Sequence, residues 1–175
     1  MRDMSEYFSN VTTGTLPSFS YVKFRTSENE HPAWSWISDG EDNATRVIEA
    51  IRTSPLYAAN TLVILTWDEG GGFYDHVAPP AGIETFGPGT GAGFEGTPVP
   101  YGTRVPMIAI GRFARTGFVS HVGMEHSSIV AFVEWNFLGP SGVGAIRATT
   151  SIARDGIVNG IGSMLDPALV GAVAP

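Results

Sequence analysis

Thr61-Leu62-Val63-Ile64-Leu65-Thr66-Trp67-Asp68-Glu69-Gly70-Gly71-Gly72 joins an uninterrupted apolar run to two acids and three glycines. A short apolar run of this kind reads as a strand buried on both faces, the habit of strands in parallel sheets. Upstream, Phe19-Ser20-Tyr21-Val22-Lys23-Phe24 alternates and is rich in aromatics, which predicts another strand. Between the two, Ala44, Val47, Ile48 and Ile51 recur at helical spacing; Asp39 is placed to cap that helix and Pro55 ends it. Strand, helix and buried strand make a βαβ unit, whose crossover is right-handed. Downstream, residues 104–110 read as a strand, with Pro106 marking an edge or a bulge, and residues 117–122 as a short strand. Residues 127–137 form an amphipathic helical pattern stopped by Gly139 and Pro140. A further helical pattern over 149–165 is interrupted by Gly156, Gly160 and Gly162. The expected fold class is α/β, a mainly parallel sheet with flanking helices.

Composition narrows the function. The 175 residues carry a formal net charge of −7, which disfavours nucleic acid or an anionic membrane as the main partner, since both require clustered Lys and Arg. No apolar run approaches the roughly 20 residues of a membrane span, so no transmembrane segment is expected. With no cysteine, disulfides, Cys-ligated zinc and thiol catalysis are excluded. The 22 glycines and 12 prolines exclude a coiled coil and predict long loops, chiefly a Gly/Pro-rich one over residues 81–102. Within it Gly91-Ala92-Gly93-Phe94-Glu95-Gly96 matches the dinucleotide glycine pattern by letter, but no strand precedes it and Thr97-Pro98-Val99-Pro100 cannot open a helix.

Ligands in open α/β sheets sit beyond the carboxyl ends of the strands. There the chain carries Asp68 and Glu69, with Asp75 and His76 seven residues on. Adjacent acids after a buried strand are costly unless something compensates their charge, and a divalent cation is the hard partner that carboxylate oxygens favour. Neighbouring residues on a strand point in opposite directions, and the three glycines permit the immediate turn that would let both acids reach one ion. An Asp at a strand end also makes local side-chain turns, and glycine runs also simply form loops, so spacing leaves both readings open. Of His31, His76, His121 and His126, three lie beside an acid or in a glycine- or proline-rich loop and not in an apolar face.

The run from Thr61 to Pro80, ending Gly-Gly-Gly-Phe-Tyr-Asp-His-Val-Ala-Pro-Pro, resembles the signature of the bacterial phosphoesterase family. That family includes phosphatidylcholine-type phospholipases C and metal-dependent acid phosphatases and belongs to the alkaline phosphatase superfamily. Leu16-Pro17-Ser18-Phe19-Ser20-Tyr21-Val22, Glu30-His31-Pro32, Arg104-Val105-Pro106, Glu125-His126-Ser127-Ser128-Ile129 and the tail from Arg154-Asp155 to Asp166-Pro167 resemble further family segments in the family's order. The resemblance implies a metal-dependent phosphoric ester hydrolase acting on a phosphate ester or phospholipid. It makes Asp68 and Glu69 acidic ligands of a divalent metal ion, and His31 and His126 histidines that touch the metal or the phosphate. Asp75 and His76 would be supporting or loop-anchoring residues, and His121 matches another frequent position. The family's Glu-Asn pair and its Ser or Thr nucleophile have no counterpart here. On that count the chain is expected to be the C-terminal portion of an alkaline-phosphatase-like fold, with the nucleophile supplied by a separate N-terminal segment. The alternative is a non-catalytic remnant or metal-binding module of the same fold.

Overall fold

The structure is a computed structural model describing residues 3–82, 98, 100–142 and 156–170. Its elements are α1 (Met4–Thr13), α2 (Ile37–Arg52), β1 (Val63–Thr66), β2 (Met107–Ile110), α3 (His126–Leu138) and the short α4 (Pro167–Val170), with 3-10 turns at Pro140–Gly142 and Ile161–Met164. The chain divides into two compact units, Met1–Leu65 with Ile108–Ala114 and Thr66–Met107 with Arg115–Pro175.

In the first unit α1 packs against α2. The sequence reading did not anticipate α1, although its signals are present. The Asp3 carboxylate accepts the Ser5 N–H at 3.0 Å, Met4, Tyr7, Phe8 and Val11 stand at helical spacing, and Gly14 closes the end by donating to the Asn10 carbonyl. Val11 and Ile51 are the buried apolar side chains of the pair. The Tyr7 hydroxyl donates to the Val47 carbonyl at 3.0 Å, and the Arg46 guanidinium lies over the Phe8 ring, 5.5 Å from its centre. The helix expected from Ala44 to Ile51 is found as α2. Its N-cap is Trp36 rather than Asp39, which sits in the first turn and accepts the Trp36 N–H at 3.1 Å. A carboxylate there still satisfies a backbone donor and suits the positive end of the helix dipole.

The sheet departs from expectation. Among the described residues it has two strands, β1 beside β2. Gly111 lies against the Thr61 carbonyl, and the Thr66 hydroxyl donates to the Pro106 carbonyl at 2.9 Å. One strand's start therefore meets the other's end, and the pair runs antiparallel, not in a parallel sheet. Residues 63–66 are half-buried, so the apolar run is not a strand covered on both faces. Residues 19–24 form no strand, and with them goes the βαβ unit: Phe19 and Tyr21 are 53% and 76% exposed, and among the described residues the only sheet is the pairing of β1 with β2. Residues 117–122 are turns and irregular chain. The described fold is α-helical with one small sheet, a mixed helix-and-strand architecture.

In the second unit α3 packs against both 3-10 turns. Ser128 and Ala131 are its buried residues, and Ile161 and Leu165 are almost wholly enclosed. The expected helix 127–137 is thus present with one residue added at each end, stopped by Gly139 as anticipated. Of the pattern over 149–165, residues 149–155 lie outside the described residues; the rest contains no α-helix. Arg115 N–H donates to the Met164 carbonyl at 2.9 Å, and Asn159 Nδ2 to that of Gly123 at 2.8 Å, tying the tail to the segment before α3. No helix among the described residues is long and apolar enough to cross a membrane.

Leu165 is 1% exposed. Its truncation, Leu165→Ala, is expected to cost about 2–5 kcal/mol, read as a lowered midpoint in urea denaturation followed by far-UV circular dichroism.

Candidate functional site

The acids that follow β1 open a loop in the second unit. Asp68 and Glu69 are both exposed. Water therefore hydrates them, and burial does not by itself demand a compensating cation. Glu69 Oε2 accepts the Gly71 N–H at 2.7 Å, and Phe73 N–H donates to the Gly70 carbonyl at 3.0 Å, folding the chain back at once. Gly71 and Gly72 have φ of 64° and 77°, the left-handed conformations that glycine adopts freely. Gly70 has a different reason to be small: a Cβ there would stand 2.1 Å from the Thr103 Oγ1.

Asp75 is the loop's anchor. Its carboxylate accepts from Val77 N at 3.0 Å, Arg104 N at 3.1 Å, Arg104 Nε at 2.9 Å and Arg104 Nη2 at 2.7 Å. The side chain is 12% exposed, against 67% for Arg104. The Arg104 guanidinium, followed by the Val77 N–H, holds the Asp75 carboxyl well below the usual carboxylate range. The same contact raises the Arg104 pKa above its ordinary value. His76 lies edge-on to the Tyr74 ring, centres 5.2 Å apart. Gly70, Phe73, Tyr74 and His76 face the Thr103–Pro106 segment across an open cleft of about 400 Å³.

His126 is the first residue of α3, and its Nε2 lies 2.8 Å from the Trp67 carbonyl. A carbonyl oxygen only accepts, so Nε2 carries the hydrogen and Nδ1 holds the lone pair of the neutral ring. The helix start is secured by Glu125 N–H donating to Ser128 Oγ at 3.0 Å. The structure thus brings His126 to the residue directly before Asp68. His31 lies in the first unit, exposed, with Nδ1–H directed to the Pro32 carbonyl at 2.8 Å and its backbone N–H to Asn29 Oδ1 at 3.0 Å. His121 is exposed. The glycine-rich letters of residues 91–96 lie outside the described residues.

Among the described residues no three His, Asp or Glu side chains stand close enough to enclose a metal ion. What Asp68 and Glu69 offer is two hard oxygen donors. That set suits a Mg²⁺-type cation, which keeps several waters and is held by one or two carboxylates together with phosphate oxygens. It is not the closed set of three or four protein ligands that zinc takes. The residue whose partner sequence reasoning missed is Arg104, read there as part of a strand and of the family-like segment Arg104-Val105-Pro106. It is 29 positions from Asp75, and no local pattern announces an ion pair across that separation.

The model of the Phosphoesterase family matches residues 1–138. The chain belongs to the phosphoesterase family. It is 33% identical over 173 residues to a hemolytic phospholipase C of Pseudomonas aeruginosa, covering 94% of this chain and 23% of that protein. It is 31% identical over 141 residues to a non-hemolytic phospholipase C of Burkholderia pseudomallei, covering 73% and 20%. A non-specific phospholipase C6 of Arabidopsis thaliana is 30% identical over 152 residues, covering 74% and 28%. The chain thus spans between a fifth and three tenths of the length of these relatives.

Two outcomes follow from the loop geometry. The Asp75 carboxyl has a lower pKa folded than unfolded, so its ionised form stabilises the fold, and that contribution is present above the ordinary value of about 4 and lost as pH falls below it. The stability gap between the wild-type chain and Asp75→Asn, measured by urea denaturation, should stay constant from about pH 5 to 7 and narrow steadily below about pH 4. Gly70→Ala should cost about 1–3 kcal/mol through the clash with Thr103, and the double variant Gly70→Ala/Thr103→Ala should recover part of that loss in the same assay.

Proposed function

We propose that this chain carries the acidic, metal-binding portion of a phosphoric ester hydrolase of the phospholipase C type. The observation that carries the reading is the loop after β1. Two exposed carboxylates, Asp68 and Glu69, stand at a strand end, with the Trp67 carbonyl beside them holding the His126 imidazole at 2.8 Å. In this reading Asp68 and Glu69 hold a divalent cation. When bound, such an ion neutralises charge on phosphoryl oxygens and lowers the pKa of an attacking hydroxyl. The hydrogen bond to Trp67 leaves His126 Nδ1 as the ring atom able to accept a proton or meet a ligand. Asp75 holds the loop in place, and His76 lines the cleft beside it. His31 enters on the resemblance of Glu30-His31-Pro32 alone. The relatives named phospholipase C support a phospholipid or other phosphate ester as substrate. The acid phosphatase and alkaline phosphatase kinship, the wider α/β sheet with parallel strands that goes with it, and a nucleophile-bearing N-terminal segment belong to the same proposal.

A second reading, a metal-binding module without catalysis, is favoured by one observation: the described residues bring no third acidic or histidine ligand to the pair. The two readings part on hydrolysis of p-nitrophenyl phosphate by the chain co-expressed with a segment supplying a Glu-Asn pair and a Ser or Thr nucleophile. Turnover favours the hydrolase, and its absence from a well-folded assembly favours the module.

Both readings require the acids to bind a cation. Mn²⁺ titrated calorimetrically into the wild-type chain should give a binding isotherm that Asp68→Asn abolishes; an unchanged isotherm in that variant refutes the assignment.

A further inference from the structure

Besides the Trp67 carbonyl that meets His126, the loop between Thr66 and Asp75 meets the segment Thr103–Pro106 at three places. At its start the Thr66 hydroxyl donates to the Pro106 carbonyl at 2.9 Å. At Gly70 the backbone runs so close to Thr103 that a Cβ would stand 2.1 Å from the hydroxyl oxygen. At its far end the Asp75 carboxylate takes three hydrogen bonds from Arg104, one from the backbone and two from the guanidinium. Asp68 and Glu69 lie between the first and second of these places. The first attachment is a neutral side-chain hydrogen bond at the end of the β1–β2 pair, and the second is a close approach of backbone to a side chain. Only the third is charge-assisted and bidentate, the geometry in which a planar guanidinium fixes direction as well as distance. The glycines at 70, 71 and 72 lower the loop's own resistance to changing shape, so the part beyond Glu69 takes its direction from what pins its far end.

We infer that Arg104 is a positioning residue for the candidate site: by clamping Asp75 it sets the conformation in which the Gly70–Gly72 turn presents Asp68 and Glu69. This rests on the metal reading proposed above for those two acids. Arg104 touches neither the ion nor the substrate in this scheme and acts through Asp75.

The test uses the 175-residue chain and the variants R104Q, R104K and D75N. In native-state hydrogen exchange, R104Q and D75N should speed exchange of the Gly71 and Val77 amides by about tenfold or more, with amides inside α3 unchanged. R104K keeps the charge but not the fork and should fall between. In Mn²⁺ titrations R104Q and D75N should each weaken binding about 10–100-fold, the usual loss when a ligand's support is removed. The double variant R104Q/D75N should be no weaker than the worse single one, because both remove the same contact. Exchange at Gly71 and Val77 equal to wild type in R104Q overturns the clamp. Accelerated exchange with unchanged Mn²⁺ affinity overturns its role in the site. A wild-type chain that binds no Mn²⁺ overturns the metal reading, and with it the positioning role, while the exchange result still decides the clamp.

Discussion

A carboxylate that accepts four hydrogen bonds, three of them from one arginine, holds the loop on which the candidate site depends. The loop needs such a hold. Three consecutive glycines make a hinge with little conformational preference, and the acids just before it are exposed, so neither backbone stiffness nor burial fixes them. Strands supply the other boundary: β1 ends at Thr66, whose hydroxyl is tied to the chain entering β2. A flexible turn between a strand end and a charge-assisted clamp combines room to fold back with a defined endpoint.

The proposed site is built from the residues of this loop and from α3, which brings His126 to the Trp67 carbonyl. The hydrogen bond from Nε2 selects the ring tautomer and leaves the other nitrogen for chemistry, a common arrangement for histidines that serve a metal or a phosphate. Exposed carboxylates with two hard donors fit a hydrated, oxygen-loving cation better than a protein-enclosed zinc. That distinction follows from solvent exposure and from the number of acidic and histidine side chains brought together among the described residues.

The apolar side chains divide unevenly. Val11, Ile51, Ala131, Ile161 and Leu165 are buried, whereas Tyr21, Trp34, Trp36, Phe73 and Tyr74 stand largely in solvent. Aromatic alternation at residues 19–24 therefore misled the strand reading. Alternation reports a side-chain period, but a strand forms only where a second strand completes its hydrogen bonds. The apolar run 61–67 was likewise read as enclosed on both faces and is half-buried, with β2 as its one paired neighbour among the described residues.

From the order of residues alone came α2, α3, the strand at 63–66, the strand beginning near Pro106 and the acidic loop with its family signature, because each is encoded by local periodicity, caps and breakers within a few positions. The antiparallel pairing of β1 with β2, the exposure of Asp68 and Glu69, the meeting of His126 with Trp67 and the clamp of Asp75 by Arg104 came only from the tertiary structure. Each depends on which distant backbone or charged group arrives alongside, across separations of 29 to 59 residues for the hydrogen-bonded partners, and nothing in a local stretch of chain specifies that neighbour.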